Sequence, residues 1–216
     1  MLFNMKDCLN WLMDQDNVYD FIIGRLVSIN ECQTTMKGVY FDDSDGFDGL
    51  SIVFAFRIPG YVFMDNYSDA YAYINDTVIK LLKLDIDKIR PAAIRNLRLQ
   101  ISVRKMDDIF AYCLPSLESV PLGVLTTNYM NYGAFYLCDL ETLNKVCDSF
   151  CKLSMRKVMF IPSSAHELIF ITDPEITTEM AKSLIYECNR EPDIVDYALT
   201  DHIYIYDRDT NSLTEI

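Results

Sequence analysis

The chain has 216 residues, half of them apolar, with a formal charge of −13 and an isoelectric point near 4.5. Length and apolar share suffice for one large domain or two small ones with a buried core, and they exclude a disordered or low-complexity chain. The excess of acid repels phosphate backbones and anionic membranes, so direct nucleic-acid binding is disfavoured and a protein partner on an acidic face is expected.

Seven cysteines, Cys8, Cys32, Cys113, Cys138, Cys147, Cys151 and Cys188, form an odd set without a Cys-x-x-Cys pair. They read as reduced, mostly buried thiols of a cytoplasmic protein. No apolar run approaches the roughly 20 residues of a membrane span. The N-terminus lacks the charged and apolar regions of a signal peptide.

In chain order, residues 4–14 carry Met5, Cys8, Leu9 and Leu12 at helical spacing, and residues 17–29 repeat the pattern with Val18, Phe21, Ile22, Leu26 and Val27. The acidic stretch at 42–49 resembles half a calcium loop. Counted from Asp43, its twelfth position is Phe54 rather than a bidentate Glu, so it reads as a solvated turn. Residues 50–56 predict a strand, returned through Pro59-Gly60 by residues 61–64, with a third strand at 70–74. Asn75-Asp76 marks a helix start, and a break near Leu84-Asp85 separates two helical runs. Leu99, Ile101 and Val103 alternate like a strand. Pro115 and Pro121 bracket polar residues, which divides the chain into an N-terminal α+β region, 1–115, and a C-terminal region, 122–216.

In the C-terminal region, residues 124–127 and 134–137 read as strands. Asp139 then caps a helix with Leu140, Leu143, Val146, Cys147, Phe150 and Leu153 on one stripe. Cys147 and Cys151 lack further ligands at metal spacing and read as core. Two apolar runs, 158–161 and 168–171, flank a polar corner. Asp173-Pro174-Glu175 predicts another helix start, and residues 201–206 alternate as a final strand. From residue 133 the order is strand, helix, strand, strand, helix, strand. That ferredoxin-like βαββαβ order predicts an α+β fold, a two-layer antiparallel sheet with helices on one face.

Val124-Leu125-Thr126-Thr127-Asn128, Gly133-Ala134, Ile161-Pro162-Ser163-Ser164-Ala165-His166-Glu167 and Tyr204-Ile205-Tyr206-Asp207-Arg208 together resemble the motif series of an uncharacterised bacterial domain family. Arg25-Leu26-Val27, the run at 50–54 and Ile74-Asn75-Asp76 fit the same family, so the resemblance spans most of residues 17–210. The chain departs from it in a shorter N-terminal region and at Thr200-Asp201, where Ser-Asp is usual. The resemblance implies a domain identity and brings no activity with it.

Reactive side chains concentrate at Ser163, Ser164, His166 and Glu167. A serine nucleophile needs a base within hydrogen-bond reach and an acid behind that base. In an extended segment Ser164 and His166 share a face and Glu167 takes the other, so the acid must come from elsewhere, such as Asp201. The Gly-x-Ser-x-Gly elbow, the His-Glu-x-x-His zinc motif and the glycine-rich phosphate loops are absent. With only His166 and His202 in the chain, neither a metal site nor a cofactor is expected. The corner therefore reads as a hairpin turn whose serines satisfy backbone groups, with the His166 ring donating to a neighbouring carbonyl or carboxylate. The expected function is a non-catalytic, cytoplasmic binding or interaction module of a bacterial or mobile-element protein, with Asn128, His166, Glu167 and Asp201 as binding residues. The alternative is a small hydrolase centred on His166 with Ser163 or Ser164.

Overall fold

The computed structural model describes residues 5–36, 38–43, 45–59, 69–106, 121–190 and 198–216. They fall into two compact units: residues up to 46 with 51–99, and residues 47–50 with 100–216. Each is a mixed α+β body built on an antiparallel sheet.

In the first unit, β3 (Leu50–Ile58) takes β1 (Ile22–Ser28) on one edge and β2 (Phe41–Asp42) and β4 (Ala70–Tyr73) along the other. Eight of the nine β3 residues are buried, so helices and turns must cover both faces of the strand. Cys32 of α2 (Ile29–Thr35) packs with Val27, Met36 and Val53. α4 (Ile86–Arg98) docks on β1 through buried Asn96, whose amide donates to the carbonyls of Tyr19 and Ile22, each at 2.8 Å.

The helix expected over 17–29 is instead a 3-10 turn (Val18–Phe21) followed by β1. Ile22, Gly24 and Leu26 point inward in alternation, and the β-branched Ile22, Ile23 and Val27 suit a strand. α1 (Met5–Met13) lies where it was expected. Asn75 accepts from the Val78 amide at 3.0 Å and caps α3 (Asp76–Leu82), and Asp85 caps α4 in the same way. The returning strand at 61–64 lies outside the described residues. Three carboxylates of the acidic stretch have partners within the first unit: Arg90 bridges Asp42 at 3.1 Å and Asp45 at 2.5 Å, and the Ser51 hydroxyl donates to Asp43.

The second unit is a six-stranded antiparallel sheet in the order β10-β9-β7-β8-β6-β5. Its strands are β5 (Ile101–Lys105), β6 (Leu122–Thr127), β7 (Lys157–Ser164), β8 (Glu167–Ile171), β9 (Tyr204–Asp207) and β10 (Ser212–Glu215). Residues 134–137 are not a strand. They belong to a buried 3-10 helix (Gly133–Cys138), after which α5 (Leu140–Phe150) begins. With β6 as first strand, the βαββαβ order survives.

The placement of both helices on one face does not survive. Phe160 pairs with Phe170 and Tyr204, and Phe150 of α5 meets Phe170 edge to face at 6.1 Å, so α5 covers that face. Ala181 and Ile185 of α6 (Thr178–Cys188) pack against Ile161, Ile171 and Ile203 on the other. Chirality accounts for this. Both crossovers, β6 to β7 and β8 to β9, step toward the same edge of the sheet but start from strands of opposite direction. Right-handed connections then place their helices on opposite faces. α6 also begins later than Asp173-Pro174 suggested. Thr177 is its cap, accepting from the Met180 amide at 3.3 Å, while Asp173 closes a separate turn on the Glu175 amide at 2.9 Å.

Candidate functional site

β7 and β8 meet across Ala165-His166, with Ser164 opposite Glu167. Pro162 has no amide proton to donate, and the register shifts between Ile161 and Ser164, where a bulge accommodates it. The Ser163 hydroxyl donates to Glu167 Oε1 at 3.1 Å, and the Ser164 hydroxyl accepts from the His166 amide at 3.1 Å. Neither serine hydroxyl meets the imidazole.

The surroundings grip His166 by its carbonyl, which accepts from Thr126 Oγ1 at 2.7 Å and from the Gly133 amide at 2.9 Å. The approach is so close that a Cβ on Gly133 would lie 2.6 Å from the His166 oxygen and 2.7 Å from the Leu125 oxygen. Only glycine fits there. The His166 ring is exposed and rests against Tyr132, with ring centres 5.7 Å apart.

Between Thr127 and Gly133 the chain forms a tight loop. Thr127 Oγ1 donates to the Asn131 carbonyl at 2.8 Å, the Asn131 amide donates to that hydroxyl at 3.2 Å, and the Met130 amide donates to the Thr127 carbonyl at 2.8 Å. Met130 and Tyr132 are held left-handed, at φ of 57° and 56°. Tyr129 and Met130 are more than half exposed. Asn128 is exposed beside them, its amide donating to the Gln100 carbonyl at 2.7 Å.

Three of the four motif runs therefore converge on one loop and corner. Asp201 is engaged elsewhere: Asn189 Nδ2 donates to it at 2.7 Å and Arg190 stands at 3.6 Å, both at the end of α6. The fourth run is architectural. Tyr206 is core, and Asp207 accepts from the amides of Asp209 and Thr210. Arg208 ties the turn after α5 to the sheet, donating to the Met155 carbonyl at 3.1 Å and bridging Asp148 at 2.5 Å.

A second cluster was not apparent from the sequence. Glu215 of β10 lies directly opposite Tyr204, so both side chains share a face, and His202 precedes Tyr204 by two residues. The His202 ring meets Glu215 through Nδ1. Phe47 packs edge-on against the Tyr204 ring at 5.2 Å, and the next residue, Asp48, donates its amide to Glu215 at 2.9 Å. Burial, with the Glu215 and Asp48 carboxylates beside it, pushes the Tyr204 hydroxyl pKa well up. The alternation of 202, 204 and 206 was a usable signal for one wall of this cluster. β10, with a single apolar residue, gave none.

The model of a family of unknown function, DUF5688, matches residues 3–208, and the chain belongs to that family. No curated protein and no solved structure matches it.

Proposed function

We propose that the chain is a non-catalytic binding module of a cytoplasmic bacterial or mobile-element protein, and that the Asn128–Tyr132 loop with the His166 corner takes a basic segment of a partner protein. The loop carries this reading. Two bulky residues in left-handed conformation cost on the order of 1–3 kcal/mol each and persist only where their surroundings over-determine them. Here the Thr127–Asn131 hydrogen bonds and the Gly133–His166 contact do so, and what they present to solvent is Tyr129 and Met130. A rigid aromatic on an acidic protein suits a lysine- or arginine-bearing segment, through steering by net charge and through contact of a cation with the ring face. The serines support binding rather than hydrolysis, because their hydroxyls engage Glu167 and a backbone amide.

The test places a photo-reactive phenylalanine analogue at Tyr129 and, as control, at Leu153, which is 80% exposed. The expected result in host cells is one discrete adduct from position 129 alone, mapping to a lysine- or arginine-rich segment and weakening with salt. Equal labelling from both positions overturns the reading. So does turnover of an ester, amide or phosphate that is lost in His166→Ala.

A further inference from the structure

We propose that Asp48, His202 and Glu215 bind a divalent transition-metal ion, with the Tyr204 hydroxyl hydrogen-bonded to water on that ion. One ligand atom from each of the three residues lies within 4.8 Å of the others. Metal bonds of about 2.1 Å hold ligand atoms about 3–4 Å apart, so on binding the His202–Glu215 contact opens and Asp48 turns in to meet the ion.

The site is built from the sheet rather than from a loose surface cluster. Tyr204 and Glu215 are paired across β9 and β10, His202 shares their face, and the Phe47–Tyr204 contact brings Asp48 over them. Access is open: the His202 and Glu215 side chains are 37% and 23% exposed.

The independent observation is Tyr204. Its side chain is wholly buried beside the Glu215 and Asp48 carboxylates, and among the described residues its hydroxyl meets no partner at good hydrogen-bond geometry, Glu215 being the group close enough to compete for it. A buried hydroxyl without a partner is costly and needs an explanation. With Glu215 drawn onto a metal held by the three residues, water or hydroxide on that ion takes the Tyr204 hydrogen bond. Two carboxylates and one imidazole suit Zn2+, Co2+, Mn2+ or Fe2+ better than Mg2+ or Ca2+, which prefer all-oxygen shells. Three protein ligands leave a position open to water.

Co2+ is the probe, because it reports its ligands by absorption and thiolate ligation adds intense charge-transfer bands. Chelator-treated, full-length protein is titrated with Co2+ alone and with Zn2+ in competition. The expected result is one equivalent bound, visible d–d bands without thiolate bands, and displacement by Zn2+. Asp48→Asn and His202→Ala should each weaken binding at least tenfold. Tyr204→Phe should weaken it about tenfold, as outer-shell changes do. Circular dichroism confirms that each variant is folded, and Asp48→Asn serves as the mild change if His202→Ala is not. Failure of the wild type to bind overturns the proposal. So do thiolate bands, or binding that is unchanged in Asp48→Asn and His202→Ala.

Discussion

Replacing Gly133 by alanine probes the junction that holds the loop to the hairpin. The added methyl would sit 2.6–2.7 Å from the His166 oxygen, the Leu125 oxygen and the Thr126 Cα, all of them backbone atoms of β6 or of the β7–β8 turn. None can swing aside as a flexible side chain would. Overpacking of this kind costs about 1–3 kcal/mol. Forcing the 3-10 helix away also weakens the Gly133 hydrogen bond on the His166 carbonyl, at about 1 kcal/mol. The expected loss is about 2–4 kcal/mol, a large share of the 5–15 kcal/mol typical of a domain. With a urea m-value of about 2 kcal/mol/M, the unfolding midpoint should fall by about 1–2 M. Two companions separate backbone from ring. Thr126→Val removes one hydroxyl bond and should cost about 1 kcal/mol. His166→Ala keeps the carbonyl and removes an exposed ring, so it should cost less than about 1 kcal/mol. A midpoint shift under about 0.5 M for Gly133→Ala, or a larger loss for His166→Ala than for Gly133→Ala, would refute the reasoning.

Arg208 is 8% exposed and joins Asp148 to the Met155 carbonyl. Arg208→Lys loses the forked geometry and should cost about 1–3 kcal/mol in urea unfolding. Cys8, Cys32, Cys147 and Cys151 are buried; the hydrogen bond to Cys151 and burial hold the Cys147 thiol protonated, burial raises Cys8 and Cys32, and Cys151, lowered by the Cys147 hydrogen bond, is shielded by its burial alone. Native protein at pH 8 should therefore react with a thiol reagent at no more than three of its seven cysteines, and at all seven in denaturant; fast labelling of a fourth would contradict this. Burial, with Glu31 and Asp43 nearby, raises Cys32 from 9.0 to about 11. A raised folded-state pKa gives stability that is complete below the unfolded value, so stability should decline as pH rises from about 9 toward 11. Cys32→Ala should flatten that decline in alkaline melts, and an unchanged slope would count against it.

Elements that announce themselves by local chemistry were legible. Asn75 caps its helix as its side chain suggests, the break near Leu84-Asp85 separates two helices, and the runs at 158–161 and 168–171 form the paired strands of the polar corner. Residues 134–137 were misread because four consecutive buried residues have no period, and a short apolar run fits a strand as well as a helix. Asp173 misled because a carboxylate closing a two-residue turn carries the same local signal as a cap. The serines and Glu167 of the corner could be read as turn chemistry. The part played by His166 could not, because it acts through a carbonyl that every residue type possesses.

With α5 and α6 on opposite faces, β7 and β8 are sheltered only when both helices have docked. Synthesis delivers them in sequence: α5 is made before the hairpin and α6 after it. From Ile171 to Cys188 the ribosome needs about 1–3 s at roughly 5–20 residues per second. During that interval Met159, Ile161, Ile169 and Ile171 present a bare apolar sheet face to solvent, a natural target for chaperone capture. A chain stopped at residue 177 would keep that face uncovered permanently. Its product would be a nascent-chain trap that aggregates, where the same stop after α6 would leave the face covered.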